Sequence, residues 1–239
     1  MSTAGQDAPV TLVTGGGSGI GAATVRLLLG RGHRVAITGR GEDRLKAFAA
    51  EAGAGDALLL FPGDASDPAA VGAAVDGTVG RFGRLDHVVA NAGFSTHDDL
   101  ANGDPEQWRE MLLTNVLGPA VLIRAALPAL RAAGGRIVLV GSTAGVKNTP
   151  GNFYSVTKFA VSALAENARV LVTGSGVGVT LVSPGRVESP FWDSRGSGGA
   201  PDGPIMTSEN VAESIVWALA QPAGVEVNSV VLRPSGQVH

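Results

Sequence analysis

The chain has no cysteine, a single tyrosine, and three lysines against fifteen arginines in 239 residues. Without a thiol, disulfides and thiol catalysis are excluded. Four scattered histidines (His33, His87, His97 and His239) show no metal-ligand spacing, so no zinc site is expected. Basic tracts are missing and the net charge is −3, which makes nucleic acid and acidic membrane surfaces poor partners. No stretch approaches the ~18–20 apolar residues of a membrane span, and no basic-then-apolar leader opens the chain. Charged residues are scarce, at 16% against 44% hydrophobic, a core-rich balance far from disordered composition. A soluble, cytoplasmic protein is expected. With neither repeats nor linkers, residues 1–239 read as a single domain.

Where tyrosine and lysine are this rare, their placement carries information. Tyr154 and Lys158 stand four apart in Asn152-Phe153-Tyr154-Ser155-Val156-Thr157-Lys158. On a helix that spacing puts phenol and ammonium on one face. A neighbouring ammonium favours phenolate, so it should pull the phenol down from about 10 and make a tunable proton donor and acceptor. The plain alternative is a core tyrosine beside a solvated lysine.

Taken in order, Val10–Val13 reads as a strand, followed by Thr14-Gly15-Gly16-Gly17-Ser18-Gly19-Ile20-Gly21 and a helix over Ala22–Leu29. Strand, glycine loop and helix is the context in which backbone N–H groups approach a pyrophosphate at a helix start. Strand Arg34–Thr38 ends at Gly39-Arg40, where a nucleotide-binding unit meets the adenosine ribose. The acid that would select a free 2′-hydroxyl is absent and a base is present. Helix Glu42–Ala52 and strand Ala57–Phe61 follow, then Asp64-Ala65. A helix capped by Asp67, with Pro68 behind it, runs to about Phe82. Strand His87–Ala90 leads into Asn91-Ala92-Gly93. From Asp104 and Pro105 a helical pattern runs to about Ala132, interrupted by Pro119, which should free the Asn115 carbonyl to hold a water. Strand Arg136–Val140 ends near Ser142, the Tyr154 helix reaches about Val172, and strand Gly178–Val182 leaves through Pro184-Gly185-Arg186-Val187-Glu188-Ser189. A Gly/Pro-rich flap over about 190–207, helix Ser208–Ala220 and strand Ser229–Leu232 complete the chain. Alternating strands and helices predict a parallel sheet covered on both faces.

The ordered set Thr14-Gly15-x-x-x-Gly19-Ile20-Gly21, Asp64, Asn91-Ala92-Gly93, Asn115, Ser142, Tyr154-x-x-x-Lys158 and Pro184-Gly185 resembles the short-chain dehydrogenase/reductase family over essentially the whole chain. The resemblance implies a Rossmann fold with a doubly wound seven-stranded parallel sheet. It implies a nicotinamide dinucleotide, NADP(H) in preference to NAD(H) given Gly39 and Arg40. Contacts would come from Gly15, Gly17, Ser18, Gly19, Ile20, Gly21, Arg40, Asp64, Ala65, Asn91, Ala92, Gly93, Pro184, Gly185, Val187 and Ser189. Family members often have threonine where Ser189 stands.

The same resemblance implies reduction of a carbonyl, or the reverse. Tyr154 would be the proton donor, Lys158 would tune it and bind the nicotinamide ribose, Ser142 would hold the substrate oxygen, and Asn115 a relay water. Relatives pair through helices matching 105–132 and 153–172, where Ala125, Ala126, Ala160 and Ala163 are small enough for close approach; a homodimer or homotetramer is expected.

The substrate pocket is expected between Ser95–His97, Thr143–Asn148 and the flap, with Arg186, Phe191 and Trp192 nearby. No Gly-x-Ser-x-Gly elbow and no Gly-Lys pair occurs, against a serine hydrolase and a phosphate-loop nucleotidase. The remaining alternative is a non-catalytic dinucleotide-binding sensor or interaction subunit.

Overall fold

Short β-branched runs alternate with helix-forming stretches along the chain, and each such run becomes a strand. The computed structural model describes residues 7–193, 199–200 and 202–237. Strands β1 (Val10–Thr14), β2 (Arg34–Gly39), β3 (Leu58–Pro62), β4 (His87–Ala90), β5 (Arg136–Val140), β6 (Gly178–Pro184) and β7 (Ser229–Leu232) form one parallel sheet in the order β3-β2-β1-β4-β5-β6-β7. Leu12 is in register with Ala36 on one side and Val88 on the other.

Parallel neighbours require crossovers. These are α1 (Gly19–Gly30), α2 (Glu42–Ala52), α3 (Pro68–Phe82), α4 (Pro105–Leu112), α5 (Gly118–Ala133), α6 (Phe153–Val172) and α7 (Ser208–Leu219). They cover both faces. Leu12 packs with Leu122, Leu130 and Val161 in one core, while the next residue, Val13, packs with Val25, Leu28 and Ile215 in the other. Burial on both faces is why the strands read as unbroken apolar runs. The expected doubly wound seven-stranded sheet is present.

Local signals place most boundaries. Asp67 Oδ1 accepts the Ala69 N–H (2.9 Å) and Asp104 Oδ1 the Glu106 N–H (3.0 Å), each with proline at the next position. β3 starts one residue later than expected because Gly55–Ala57 form a 3₁₀ turn, and α1 starts earlier, at Gly19.

The 105–132 segment departs more. The helical path is continuous but not regular: α4 ends at Leu112, and Leu113–Leu117 form a π turn in which the Gly118 N–H bonds the Leu113 carbonyl five residues back. Pro119 follows directly behind this turn, where the helical path is unbroken, so its missing N–H leaves a carbonyl of the π turn without that helical donor. By length and composition 105–133 is apolar enough to cross a bilayer, contrary to the expectation above, but Leu122, Ala126 and Leu130 bury its apolar face against the sheet. Ala126, expected on a helix-pairing surface, is therefore fully enclosed in the chain's own core.

From β1 the strands run outward to β3, and the chain then returns to β4 on the other side of β1. The connections leaving β1 and β4 diverge at that reversal and open a crevice at the carboxyl edge, the place where sheets of this kind hold ligands.

Candidate active site

A cleft of about 930 Å³ follows that edge, from the ends of β2 and β3 to the start of α6 and the root of the flap. The glycine turn after β1 forms its floor. Thr14 Oγ1 accepts the N–H groups of Asn91 and Ala92 (both 3.1 Å), and Asn91 Nδ2 donates to the carbonyls of Thr14 (3.0 Å) and Gly15 (3.2 Å). Asn91 thus fastens the turn to β4. Gly15 has φ +66, and a Cβ there would lie 3.1 Å from both Asn91 Nδ2 and the Ala92 backbone.

Gly15, Gly17, Ser18, Gly19, Ile20, Asn91, Ala92 and Gly93 all line the cleft; Gly21 does not. A Cβ on Gly21 would strike the Gly15 carbonyl and Asn91 Nδ2, so this glycine lets α1 pack under the turn instead of touching a ligand. Helices α3, α4, α6 and α7 are capped by the side chains of Asp67, Asp104, Asn152 and Thr207, whereas α1 has no side-chain cap and no acid in its first turn. Its first N–H groups are left for an anion. Thr38 also lines the cleft, and its Oγ1 is buried without a hydrogen-bond partner among the described residues. Close-approach glycines, an uncapped helix start and an orphan hydroxyl together fit the diphosphate and ribose of a dinucleotide.

At the β2 end lie Arg40, Asp64 and Ala65. Burial raises the Asp64 carboxyl, but hydrogen bonds to Oδ1 from the Ser66 N–H and hydroxyl (both 2.7 Å), with the Arg40 charge, outweigh it and hold the group below the ordinary carboxylate range. Arg44, from the first turn of α2, lines the same end with its stem beside Gly17. Sequence reasoning rested this end on Arg40 alone. The signal for Arg44 was its spacing from Arg40, which means little until the β2–α2 turn is known to face the cleft.

The reacting centre forms at the other end, where β5 meets α6. Asn152 Oδ1 caps α6 through the Ser155 N–H (2.7 Å), and Ser155 Oγ donates to the Ala144 carbonyl (2.5 Å). Ser142 Oγ accepts the Ala144 N–H (3.1 Å). This small ring sets Ser142 beside Tyr154, close enough for its hydroxyl to favour the phenolate. Lys158 Nζ donates to the Val140 carbonyl (2.8 Å), 5.6 Å from the Tyr154 ring centroid.

The electrostatics differ from expectation. Burial pushes the Tyr154 phenol well above its ordinary value, with the Ser142 hydrogen bond opposing, and burial brings Lys158 down to about 8. Desolvation penalises the charged form of each group, and in this site it outweighs the attraction the spacing suggested.

Asn115 is also placed differently. It does not line the cleft but sits behind Gly93, at 1% exposure. Its amide donates to the Phe94 carbonyl (2.9 Å) and to Thr157 Oγ1 (3.1 Å) and accepts the Phe94 N–H (3.0 Å). The residue ties the loop after β4 to α6.

Pro184, Gly185, Val187 and Ser189 line the cleft beside Ser95, His97, Thr143, Lys147, Asn148, Arg186, Phe191 and Trp192. His97 is the only non-glycine with positive φ (57°) among the described residues, a conformation costing about 1 kcal/mol or more. Its Nε2 lies 3.3 Å from the Phe191 carbonyl and its ring packs on Phe191 and Trp192. Phe191 in turn stands 5.5 Å from the Tyr154 ring. The flap's neck closes through Met206 N–H to Arg186 O (3.0 Å) and Glu188 N–H to Met206 O (2.8 Å); residues 194–198 and 201 of the expected flap lie outside the described residues. Gln237 also lines the cleft, with Oε1 accepting the Arg186 N–H (3.1 Å). Nothing local in the sequence marks it, because only tertiary folding returns the chain's end to this point.

Compared with known proteins, residues 9–198 match the family model for short chain dehydrogenase. The chain belongs to that family. An uncharacterized oxidoreductase of Staphylococcus epidermidis is 31% identical to this short chain dehydrogenase over 227 residues, 94% of this chain and 96% of the relative. Among solved structures, an alcohol dehydrogenase from Thermococcus sibiricus complexed with 5-hydroxy-NADP is 28% identical with a TM-score of 0.85, covering 97% of this chain and 98% of its own. The closed form of a serine dehydrogenase complexed with NADP+ is 30% identical with a TM-score of 0.87, covering 93% and 94%. This short chain dehydrogenase is accordingly an oxidoreductase.

Proposed function

We propose that this short chain dehydrogenase uses NADP(H) to reduce a carbonyl to an alcohol, or to run the reverse, with Tyr154 as general acid and base. The observation that carries the reading is the meeting of Tyr154, Ser142 and Lys158 on the same cleft that the uncapped start of α1 enters. A bound nicotinamide would supply or accept the hydride. Ser142 Oγ already accepts the Ala144 N–H, so its own proton is directed outward, to Tyr154 or to a substrate oxygen. Tyr154 delivers a proton to that oxygen as negative charge develops on it. Lys158, a cation below about pH 8, stabilises the phenolate left behind. Asn115 acts through others, holding Phe94 and Thr157 and thereby α6.

Preference for NADP(H) is supported by Arg40 and Arg44 at the adenosine end, by the absence of a carboxylate at Gly39, and by two neighbours bound to NADP-type cofactors. A cytoplasmic homodimer or homotetramer completes the reading; Val156 and Phe159, 49% and 39% exposed on α6, offer it an apolar face. A non-catalytic sensor is less favoured, because Tyr154, Lys158 and Ser142 are not only retained but assembled.

Tyr154→Phe should abolish turnover of aldehydes and ketones, followed as loss of NADPH absorbance, while dinucleotide binding persists. Activity above about a hundredth of the parent, the low end of a general acid's contribution, would refute the role.

A further inference from the structure

The chain carries a net charge of −3, yet its cleft is lined by five Lys or Arg residues and a single carboxylate. Arg40 and Arg44 accompany that carboxylate, Asp64, at the adenosine end, and Lys158 serves the reacting centre. Lys147 and Arg186 are left over. Both line the part of the cleft that holds Ser142, Tyr154, Phe191 and Trp192, and neither makes an ion pair among the described residues.

The backbone of each is held in place, with the Lys147 side chain exposed at the rim. The Lys147 N–H bonds the Thr143 carbonyl (3.0 Å), in the same turn that Ser142 caps, so the lysine is tied to the residue facing the reacting oxygen. Arg186 is fixed at its N–H by Gln237 Oε1 (3.1 Å), at its carbonyl by the Met206 N–H (3.0 Å), and at Nη1 by the Asp202 carbonyl (2.8 Å). A guanidinium offers five N–H donors in a plane, and Nη1 is its only nitrogen so engaged among the described residues. Phe191 and Trp192 line the same cleft, edge to face with each other, and offer an apolar surface for the rest of a substrate.

We infer that the substrate is an anion: an oxo acid, or the matching hydroxy acid, whose carboxylate is received by Lys147 and Arg186 while its carbonyl or hydroxyl faces Tyr154 and Ser142. This rests on the oxidoreductase reading above. In the reductive direction the carbonyl carbon gains a hydride from the reduced dinucleotide, which is oxidised, and the carbonyl oxygen gains the Tyr154 proton; the carboxylate is unchanged. The carboxylate sets orientation, and charge-assisted bonds of this kind correspond to roughly a 10- to 100-fold preference for acid over neutral analogue.

The test compares kcat/KM for short oxo acids and their methyl esters with NADPH. Acids should be preferred by about tenfold or more; Lys147→Gln and Arg186→Gln should each reduce the ratio, the double variant should bring it near one, and Arg186→Lys should retain part of it. Esters used as well as acids, or a ratio unchanged in the double variant, would overturn the anion subsite. Where no pair turns over, calorimetric titration of the protein–NADP+ complex with butanoate and butanamide decides: tighter butanoate binding that the double variant loses supports the subsite, and equal binding refutes it. Dinucleotide affinity is measured in parallel. Loss of that affinity in the double variant would reassign the two cations to the cofactor and overturn the inference, whereas a parent protein that binds no dinucleotide would contradict the oxidoreductase reading itself.

Discussion

Lys158 is enclosed between the end of β5 and its own helix, with one carbonyl as its hydrogen-bond acceptor. Burial lowers its pKa from 10.5 to about 8, so the group loses its charge within an accessible range. On the proposed mechanism reduction needs the cation, because it stabilises the phenolate formed as Tyr154 gives up its proton. We therefore expect kcat/KM for carbonyl reduction to be level below pH 8 and to fall above it, while alcohol oxidation rises over the same interval. A reduction profile flat to pH 10 would remove Lys158 from this role. At the opposite end, Arg40 and Arg44 line the cleft together, and on the proposed reading both receive the 2′-phosphate. Arg40→Ala should lower the NADPH-over-NADH ratio of kcat/KM by about tenfold, the loss of one charge-assisted hydrogen bond, and adding Arg44→Ala should erase the preference. Gly39→Asp should invert it, since a carboxylate there repels the 2′-phosphate; the added side chain meets only the movable Leu45 tip, at 3.2 Å.

Among the elements, α6 carries Tyr154 and Lys158 in its first two turns, and its start is fixed by a cap. Replacing Asn152 with alanine removes the acceptor for the Ser155 N–H and should cost about 1 kcal/mol of stability. Tyr154 lies within that turn, so turnover should fall more than the lost stability explains, with NADPH affinity little changed. Denaturant midpoints and steady-state kinetics on the same preparation separate the two effects; kinetics identical to the parent would mean that the cap serves the fold alone. The π turn before α5 works in a similar way. Its extra residue turns Asn115 inward to bond Phe94 and Thr157. A regular helix running through Pro119 would place that amide elsewhere on its circumference.

Across the molecule, the edge of the sheet opposite the cleft holds a pH-sensitive cluster. The His33 and His87 rings lie 5.9 Å apart, tilted by 37°, with Asp86 beside them and Arg136 near His87. Burial lowers both imidazoles, His87 from 6.5 to about 4; Asp86 opposes this, and the neighbouring His33 and Arg136 reinforce it. Because the unfolded chain binds these protons first, stability is complete above about pH 6.5 and declines as pH falls towards 4. The loss is at most roughly 3 kcal/mol for His87. Urea midpoints at pH 7.5 and 4.5 should differ accordingly, and His87→Gln should narrow the gap. An unchanged gap would place the acid sensitivity elsewhere.

What the sequence determined by itself is what local rules govern. Short apolar runs such as Ile137–Val140 read as strands covered on both faces, proline after aspartate marks where α3 and α4 begin, and the lone Tyr154 four residues before Lys158 selects one face of α6. The order of the strands, with its reversal between β1 and β4, came from tertiary structure, because pairing depends on how crossovers pack and not on any one segment. The same holds for the site's other members. Arg44 reaches the glycine turn, Gln237 returns from the chain's end to hold Arg186, and Gly21 is silent until α1 is packed beneath Gly15. The ionisation of Tyr154 and Lys158 was decided in that way too. Spacing fixes which charges are neighbours, whereas desolvation depends on everything folded around them.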